Sequence, residues 1–535
     1  MHQHRTGTDR RGWICKSLAT TIGTGVLLGL AACGGSSGND KDSKTPLPLA
    51  QACPSYTSDS LPNGAKVTST EIRAATGNMT EACIVRGEIV TSDTSTILWA
   101  VELPEFEDWN GKTLTVGGGA FDGFIPTDEG YIQAFTMPAA NKFVRISSDS
   151  GHQSQGFEWA VDDDALKNHG YMANHLALQV GVQVAQDFFK KEPTHRYMIG
   201  QSNGGRSGLA AAQMFPEDYH GIVALEPAVS QQAHEVNVGG VLMKHIFSNR
   251  DNWLNAAQIK LYAEAETRAC DGLDGLEDGI IGNVEACNYV PDELLCTGAS
   301  NDSCLTAGQI ETIRLVYADK ELSVEFTQGQ RGYPRFGRGG ASTSDWASYL
   351  FGRSFEEPAS FDYMVGDEAA RVVENDPDAT LMSHDPTLYQ AEYMRLAKEL
   401  DATNPDLSAF HANGGKLLVW YGLSDTCVSL YRTVDYLKSV EEALGKIEYS
   451  EFVRFVTSPG IGHNLDGPGA GEIDFVGVID DWVETGKAPE QLIGSHFEQG
   501  ATEPSFQRPA CQYPLFPRYM GGDETKAESF ACVAS

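Results

Sequence analysis

Short, unbroken apolar runs, each closing on a glycine or a polar turn, set the rhythm of this chain. Tyr197-Met198-Ile199, Ile222 to Leu225 and, after Lys416, Leu417-Leu418-Val419-Trp420-Tyr421 are of this kind, and Leu114-Thr115-Val116 reads as a strand beside them. Apolar runs without alternation predict strands buried on both faces, as in a parallel sheet covered by helices. Glu451 to Val456 reads as a further strand, and the small-residue stretch from Gly205 to Phe215 as a helix. Strands interleaved with helices place the chain in the α/β class.

The residues at the ends of these runs carry the chemistry. Tyr197-Met198-Ile199 leads into Gly200-Gln201-Ser202-Asn203-Gly204, and a helix follows. This is the strand, sharp turn and helix that hold a nucleophilic serine above an α/β-hydrolase sheet. Glycines two before and two after the serine suit a strained turn in which side chains would collide with the neighbouring strand and helix. The Lys416 run ends in Gly422-Leu423-Ser424-Asp425, and the Glu451 run is followed by Ser458-Pro459-Gly460-Ile461-Gly462-His463. Ser, Asp and His in that order, each just past a strand, give the triad sequence of the α/β-hydrolases. His463 would take the Ser202 hydroxyl proton, and Asp425 would fix the imidazole tautomer. Taken singly, Asp425 also reads as a turn-former and His463 as a loop residue. Leu114-Thr115-Val116 runs into Gly117-Gly118-Gly119-Ala120-Phe121-Asp122-Gly123. Amides of Gly118 and Gly119, with that of Asn203, are candidates for an oxyanion hole. A phosphate loop would need a Gly-Lys-Ser/Thr ending, which is missing.

Between Glu226-Pro227-Ala228 and about Ala409 lies a long insertion. The expected organisation is a hydrolase body over 51–228 and 409–535 with a lid over 229–408. The lid carries a Gly/Arg-rich stretch from Gly329 to Gly340 and clustered aromatics, Trp346, Tyr349, Phe351, Phe355 and Phe361. Such aromatics either clamp an aromatic acyl group or form a small domain's core. Trp346, Phe351 and Arg353 are the substrate-binding candidates. Arg331, Arg335 and Arg338 read chiefly as solvated surface.

The N-terminus bears on the compartment. Arg5, Arg10, Arg11 and Lys16 precede an apolar stretch from Ile22 to Leu30, then Leu30-Ala31-Ala32-Cys33. A basic region, a short apolar core and a small-residue cleavage site make a secretory signal, 1–32, too short for a spanning helix. Cysteine at the cleavage position resembles a bacterial lipobox and implies lipidation of Cys33, with 33–50 as a flexible tether. The expected location is the bacterial cell envelope, facing the periplasm or the cell surface, or secretion, and the lipid anchor is the only membrane contact expected. The 535-residue chain carries 39 basic and 73 acidic residues, a net charge of −34. So negative a surface repels nucleic acid and anionic lipid. A small-molecule ester is the expected partner.

Export makes the cysteines candidates for disulfides. Apart from Cys15 and Cys33 the chain has Cys53, Cys83, Cys270, Cys287, Cys296, Cys304, Cys427, Cys511 and Cys532, an odd number. Sequence neighbourhood suggests 53 with 83, 270 with 287, 296 with 304 and 511 with 532, leaving Cys427; spacing alone does not derive that pairing. The stretch from Cys270 to Ile280 repeats oxygen ligands every two to three residues, with glycines between. Carboxylates of Asp271, Asp274 and Asp278 and carbonyls of Leu276 and Ile280 would supply most of the oxygens that a structural Ca²⁺ needs. The spacing is not that of an EF-hand, and a solvated acidic turn is the plainer alternative.

Gly200-Gln201-Ser202-Asn203-Gly204-Gly205-Arg206, Phe215-Pro216-Glu217-Asp218-Tyr219-His220-Gly221, the Cys270–Cys287 loop, Ser424-Asp425 and Ser148-Asp149-Ser150-Gly151-His152 together resemble the tannase and feruloyl esterase family. That family also contains an enzyme cleaving the monoester of terephthalate and ethylene glycol. The resemblance runs from about Cys53 to Cys532. It implies a secreted serine carboxylic ester hydrolase acting on small aromatic-acid esters through an acyl-enzyme, a large lid holding structural calcium, and the four disulfides named above. One departure stands out: the family usually has bonded cysteines just before the nucleophile and just after the histidine, where this chain has Gln201 and Asn464. A Gln201–Asn464 amide hydrogen bond is the most that could replace that tie. A hydroxyalkanoate oligomer esterase, with a similar Ser-Asn-Gly-Gly region, and a calcium-dependent surface binding protein without activity are the rival readings.

Overall fold

A computed structural model of the protein describes residues 48–58, 60–127 and 138–535. The signal 1–32, Cys33 and the tether up to residue 47 lie outside the described residues. Eleven strands form one sheet: β1 (Lys66–Arg73), β2 (Ala82–Val90), β3 (Thr96–Leu103), β4 (Lys112–Val116), β5 (Val144–Ser148), β6 (His195–Gln201), β7 (Gly221–Leu225), β8 (Lys416–Gly422), β9 (Val453–Ser458), β10 (Leu492–His496) and β11 (Phe506–Gln512). Their order is β1-β2-β3-β5-β4-β6-β7-β8-β9-β11-β10. The six strands from β5 to β9 run parallel, and antiparallel strands extend the sheet on both sides.

The central strands carry apolar residues on both faces because both are covered. Met198, Ile222, Ala224, Leu417 and Val419 pack with the helices α1 (Ala173–Phe189) and α2 (Asn203–Met214). The alternate residues Tyr197, Ile199, Val223, Leu225, Leu418 and Trp420 face the opposite helix, Phe475–Thr485. The period of two is thus present, but hidden by burial on both sides. One boundary differs from expectation: Lys446–Phe452 is helical and the strand begins at Val453, so Glu451 and Phe452 belong to the helix end.

Strands β7 and β8 are parallel neighbours, Ile222 opposite Leu417, although about 190 residues separate them in sequence. The intervening segment includes α3 (Gln231–Asn237), α4 (Ala256–Cys270) and α5 (Phe361–Glu374). It builds a core of its own, with Trp346, Phe351, Tyr262 and Leu396, which also takes in Phe121, Phe157 and Trp159 from the body. The insertion is therefore seated on the ends of the sheet where β4, β6, β8 and β9 deliver their loops. Among the described residues no helix is long and apolar enough to cross a membrane.

Candidate active site

Ser202 stands between β6 and α2 with φ 56° and ψ −119°. That backbone is strained for a residue with a side chain, and three main-chain bonds hold it. The Ser202 amide donates to the Leu225 carbonyl at 2.9 Å, and the Ser202 carbonyl accepts from Arg206 at 2.9 Å and Ala228 at 3.1 Å. The flanking glycines answer a packing need: a Cβ at Gly200 would lie 2.4 Å from the Gly204 carbonyl carbon, and one at Gly204 would lie 2.4 Å from the Gly118 oxygen. The glycine-rich loop and the nucleophile turn thus touch backbone to backbone. Gly119 and Asn203 line the same pocket as Ser202, while Gly118 stands one residue behind, against Gly204 and Asp122.

Asn203 is fixed through its side chain. Its Nδ2 donates to Asp122 Oδ1 at 2.5 Å, and its Oδ1 accepts from Arg206 Nε at 2.7 Å. The hydroxyl of Ser150, from the Ser148–His152 segment, donates to the other Asp122 oxygen. Burial pushes the Asp122 carboxyl up to about 6. Sequence reading gave Asp122 and Ser150 no role; the link between them exists only in space.

His463 meets Asp425 as the strand-end pattern requires, Nδ1 to Oδ2 at 2.8 Å. The other Asp425 oxygen accepts from the amides of Cys427 at 2.7 Å and Val428 at 3.0 Å. Two further buried acids surround the pair. Asp345, from the insertion, accepts the amides of His463 at 2.9 Å and Thr426 at 3.0 Å, joining the histidine and aspartate loops. Burial and then the Asp425 charge push it up to about 7. Glu226 lies with Asp425 and His463 in a group whose donor atoms are within 4.8 Å of one another, the one such trio of acidic, imidazole or thiol groups among the described residues. Burial raises both Glu226 and Asp425. Asp425 has two amides and the imidazole as donors, which favour its charged form; the Asp425 charge raises Glu226 further.

The expected Gln201–Asn464 bond does not form. Gln201 Nε2 instead donates to Glu226 Oε2 and to the His463 carbonyl, each at 2.6 Å. Asn464 turns away: its Oδ1 accepts from the Tyr349 hydroxyl at 2.7 Å and its Nδ2 donates to Ser344 Oγ at 2.7 Å. Asn464 is thus bonded to the insertion rather than to Gln201.

Ser202, His463, Gly119 and Asn203 open onto one pocket of about 430 Å³. Its aromatic walls are Phe121, Phe124, Tyr349 and Phe361. Trp346 and Phe351, two of the expected substrate contacts, are instead fully enclosed in the insertion's core. Arg353 is exposed and does not line the pocket. The core demanded the largest apolar side chains, and the pocket kept Tyr349 and Phe361 from the same aromatic cluster. Arg331 pairs with Glu325, Arg335 with Glu285, and the mostly buried Arg338 with Glu266.

Residues 83–533 match the family model described as tannase and feruloyl esterase. The chain belongs to the tannase and feruloyl esterase family. It is 30% identical over 482 residues to a probable feruloyl esterase B of Emericella nidulans, covering 85% of this chain and 86% of that one. It is 28% identical over 487 residues to the mono(2-hydroxyethyl) terephthalate hydrolase of Piscinibacter sakaiensis, covering 80% of each. The solved feruloyl esterase B of Aspergillus oryzae shares the fold, with a TM-score of 0.77 at 24% identity over 91% of this chain and 100% of that chain. The protein is a carboxylic ester hydrolase with an α/β-hydrolase body.

In this member of the tannase and feruloyl esterase family the four disulfides are Cys53–Cys83, Cys270–Cys287, Cys296–Cys304 and Cys511–Cys532. Cys427 is unpaired and buried at the pocket wall. In the acidic loop, Asp271 accepts the amides of Asp278 and Gly279, and Asp274 that of Leu276. Asp274, Asp278, Ile280 and Gly282 line one side of a small cavity of about 10 Å³. The rest of that cavity includes Pro459, Ala470, Pro509, Pro517 and Phe530 with Arg508, whose guanidinium pairs with Asp278 at 2.6 Å, and the carboxylates of Asp271, Asp274 and Asp278 do not gather into one donor group.

Proposed function

We propose that the protein is a serine esterase of aromatic acids, in which Ser202 attacks the ester carbonyl. His463 takes the hydroxyl proton and returns it to the leaving alcohol, and Asp425 holds the imidazole tautomer and stabilises its cation. The amides of Gly119 and Asn203, with Gly118 behind them, receive the oxyanion; one such donor is commonly worth about 10²–10³ in rate. Water then releases the acyl group through the same histidine. The observation that carries this reading is the convergence of a strained Ser202, an Asp425-bonded His463 and the glycine loop on one pocket.

The pocket supports a narrower substrate class. Among the described residues no lysine or arginine lines the pocket, so none of them would neutralise the carboxylate of a terephthalate half-ester. Its polar wall is Gln231, His234 and Glu235, and Gln231 Oε1 and Glu235 Oε1 are buried without hydrogen-bond partners. The open acceptor on Gln231 and the free oxygen of the Glu235 carboxyl favour a hydroxyl-bearing aromatic acyl group over a charged or purely aliphatic one. Hydrolysis of hydroxycinnamate, gallate, terephthalate and hydroxybutyrate esters by the purified protein tests this; preference for the last two would overturn it. Ser202→Ala should be inert on all.

Structural Ca²⁺ on Asp271, Asp274, Asp278 and the carbonyls of Leu276 and Ile280 belongs to the same reading, supported by the recurrence of acidic residues and glycines between Cys270 and Cys287. Export with a lipid anchor at Cys33 is supported by the N-terminal sequence and by four disulfides, which persist in oxidising compartments.

A further inference from the structure

The triad leaves one enclosed acid unused. Glu226 is wholly buried, and its φ of 44° is one that a non-glycine residue holds only where the surroundings impose it. The neighbouring strand end is shaped to receive it. A Cβ at Gly422 would stand 2.7 Å from Glu226 Oε1, and the Gly422 amide donates to that oxygen at 3.1 Å. The other oxygen, Oε2, accepts from Gln201 Nε2 and lies 3.6 Å from His463 Nδ1, against 2.8 Å for Asp425 Oδ2. The same Gln201 nitrogen reaches the His463 carbonyl. One amide and one carboxyl thus join the ends of β6, β7 and β8 to the loop after β9, touching the main chain of His463 and approaching its ring.

Resting on the serine-esterase reading above, we propose that Gln201 and Glu226 are positioning residues of the reaction, tying the histidine loop to the nucleophile loop and holding a second carboxyl in reserve behind the imidazole. The imidazole Nδ1 carries a single proton, and Asp425 has the better distance to it. A purely structural filler at Glu226 would need neither a carboxyl nor the rare backbone, because burying such a group costs free energy that an apolar residue avoids. What the carboxyl adds is a partner 3.6 Å from Nδ1, able to ionise and orient the ring when Asp425 is removed. Gln201 keeps that carboxyl aimed, through Oε2, and keeps the ring's own backbone at a fixed distance from the serine turn.

A double-mutant cycle on the full protein tests this, with kcat and KM for an activated phenyl ester and melting temperatures measured for each variant. Asp425→Asn should leave a small residual rate. Glu226→Gln alone should lower kcat by less than about tenfold with KM unchanged, and in the Asp425→Asn background it should remove roughly a further hundredfold, since no carboxyl would then remain beside Nδ1. Equal factors in the two backgrounds would overturn the reserve role. Gln201→Met keeps the volume and breaks both hydrogen bonds; a fall in kcat of about tenfold at unchanged KM is expected, and an unchanged kcat would overturn the tie, including where Glu226→Gln fails to fold. Ser202→Ala separates the two readings. If it keeps turnover, the serine mechanism itself fails; if it is inert while the cycle shows no coupling, only the role of Glu226 and Gln201 falls.

Discussion

Asp345 shows how much of the site depends on residues that touch no substrate. Its carboxylate takes the amides of His463, Thr426 and, at 3.4 Å, Asn464. Replacing it by alanine leaves buried donors unpaired, each costing about 1–3 kcal/mol. Asp345→Ala is therefore expected to lose roughly 3 kcal/mol or more in denaturant unfolding and to lower kcat with it; wild-type stability would contradict this. Glu235 gives a pH test. Burial and then the Asp401 charge push it up to about 8 from an ordinary 4.5. The folded protein keeps that proton while the unfolded chain loses it, so the stability Glu235 contributes falls as pH rises from about 4.5 to 8. Glu235→Gln, which cannot ionise, should gain melting temperature relative to the parent from pH 5 to pH 8, and a constant difference in calorimetry would contradict the assignment. Ser202, Asp425 and His463 were legible because each follows an apolar strand in a fixed order. Asp345 and Asp122 were not, because their partners lie 118 and 81 residues away in sequence, and Gln201 was legible as a tie but with the wrong partner, the His463 carbonyl in place of Asn464. Glu226 did leave a signal, a charge at the very end of an apolar run.

At the scale of elements, continuous apolar runs announced β6, β7 and β8, and burial on both faces explains why alternation was absent there; β5, with Arg145, Ser147 and Ser148, gave no such run. The start of β9 was misplaced because Lys446–Phe452 mixes apolar and charged residues in a way that suits either element. In the insertion, sequence counted aromatics but could not sort them: Trp346 and Phe351 went to the core, Tyr349 and Phe361 to the pocket. The Cys270–Cys287 loop carries its own test. If Ca²⁺ is bound there by the folded state, a chelator should lower the melting temperature, calcium should restore it, and Asp274→Ala should abolish the response. An unchanged melting temperature after the ion is shown to have left would reduce the loop to an acidic turn.

In the whole molecule, the sheet fixes Ser202, Asp425 and His463 at strand ends, and the inserted segment supplies both Asp345 and much of the pocket. No disulfide cysteine lines the pocket of the triad, and the loops around it are joined by hydrogen bonds. Mild reduction should thus cost thermal stability, about 2–4 kcal/mol for a typical bridge, before it costs activity at moderate temperature. Rapid loss of activity with the fold intact would contradict that. The measurement closest to the central claim is labelling with a fluorophosphonate, which reacts with an activated serine, followed by peptide mapping. One adduct on Ser202, formed in step with loss of ester hydrolysis and missing from His463→Ala, is the expected result. Inactivation without modification of Ser202, or an adduct on another residue, would contradict the account.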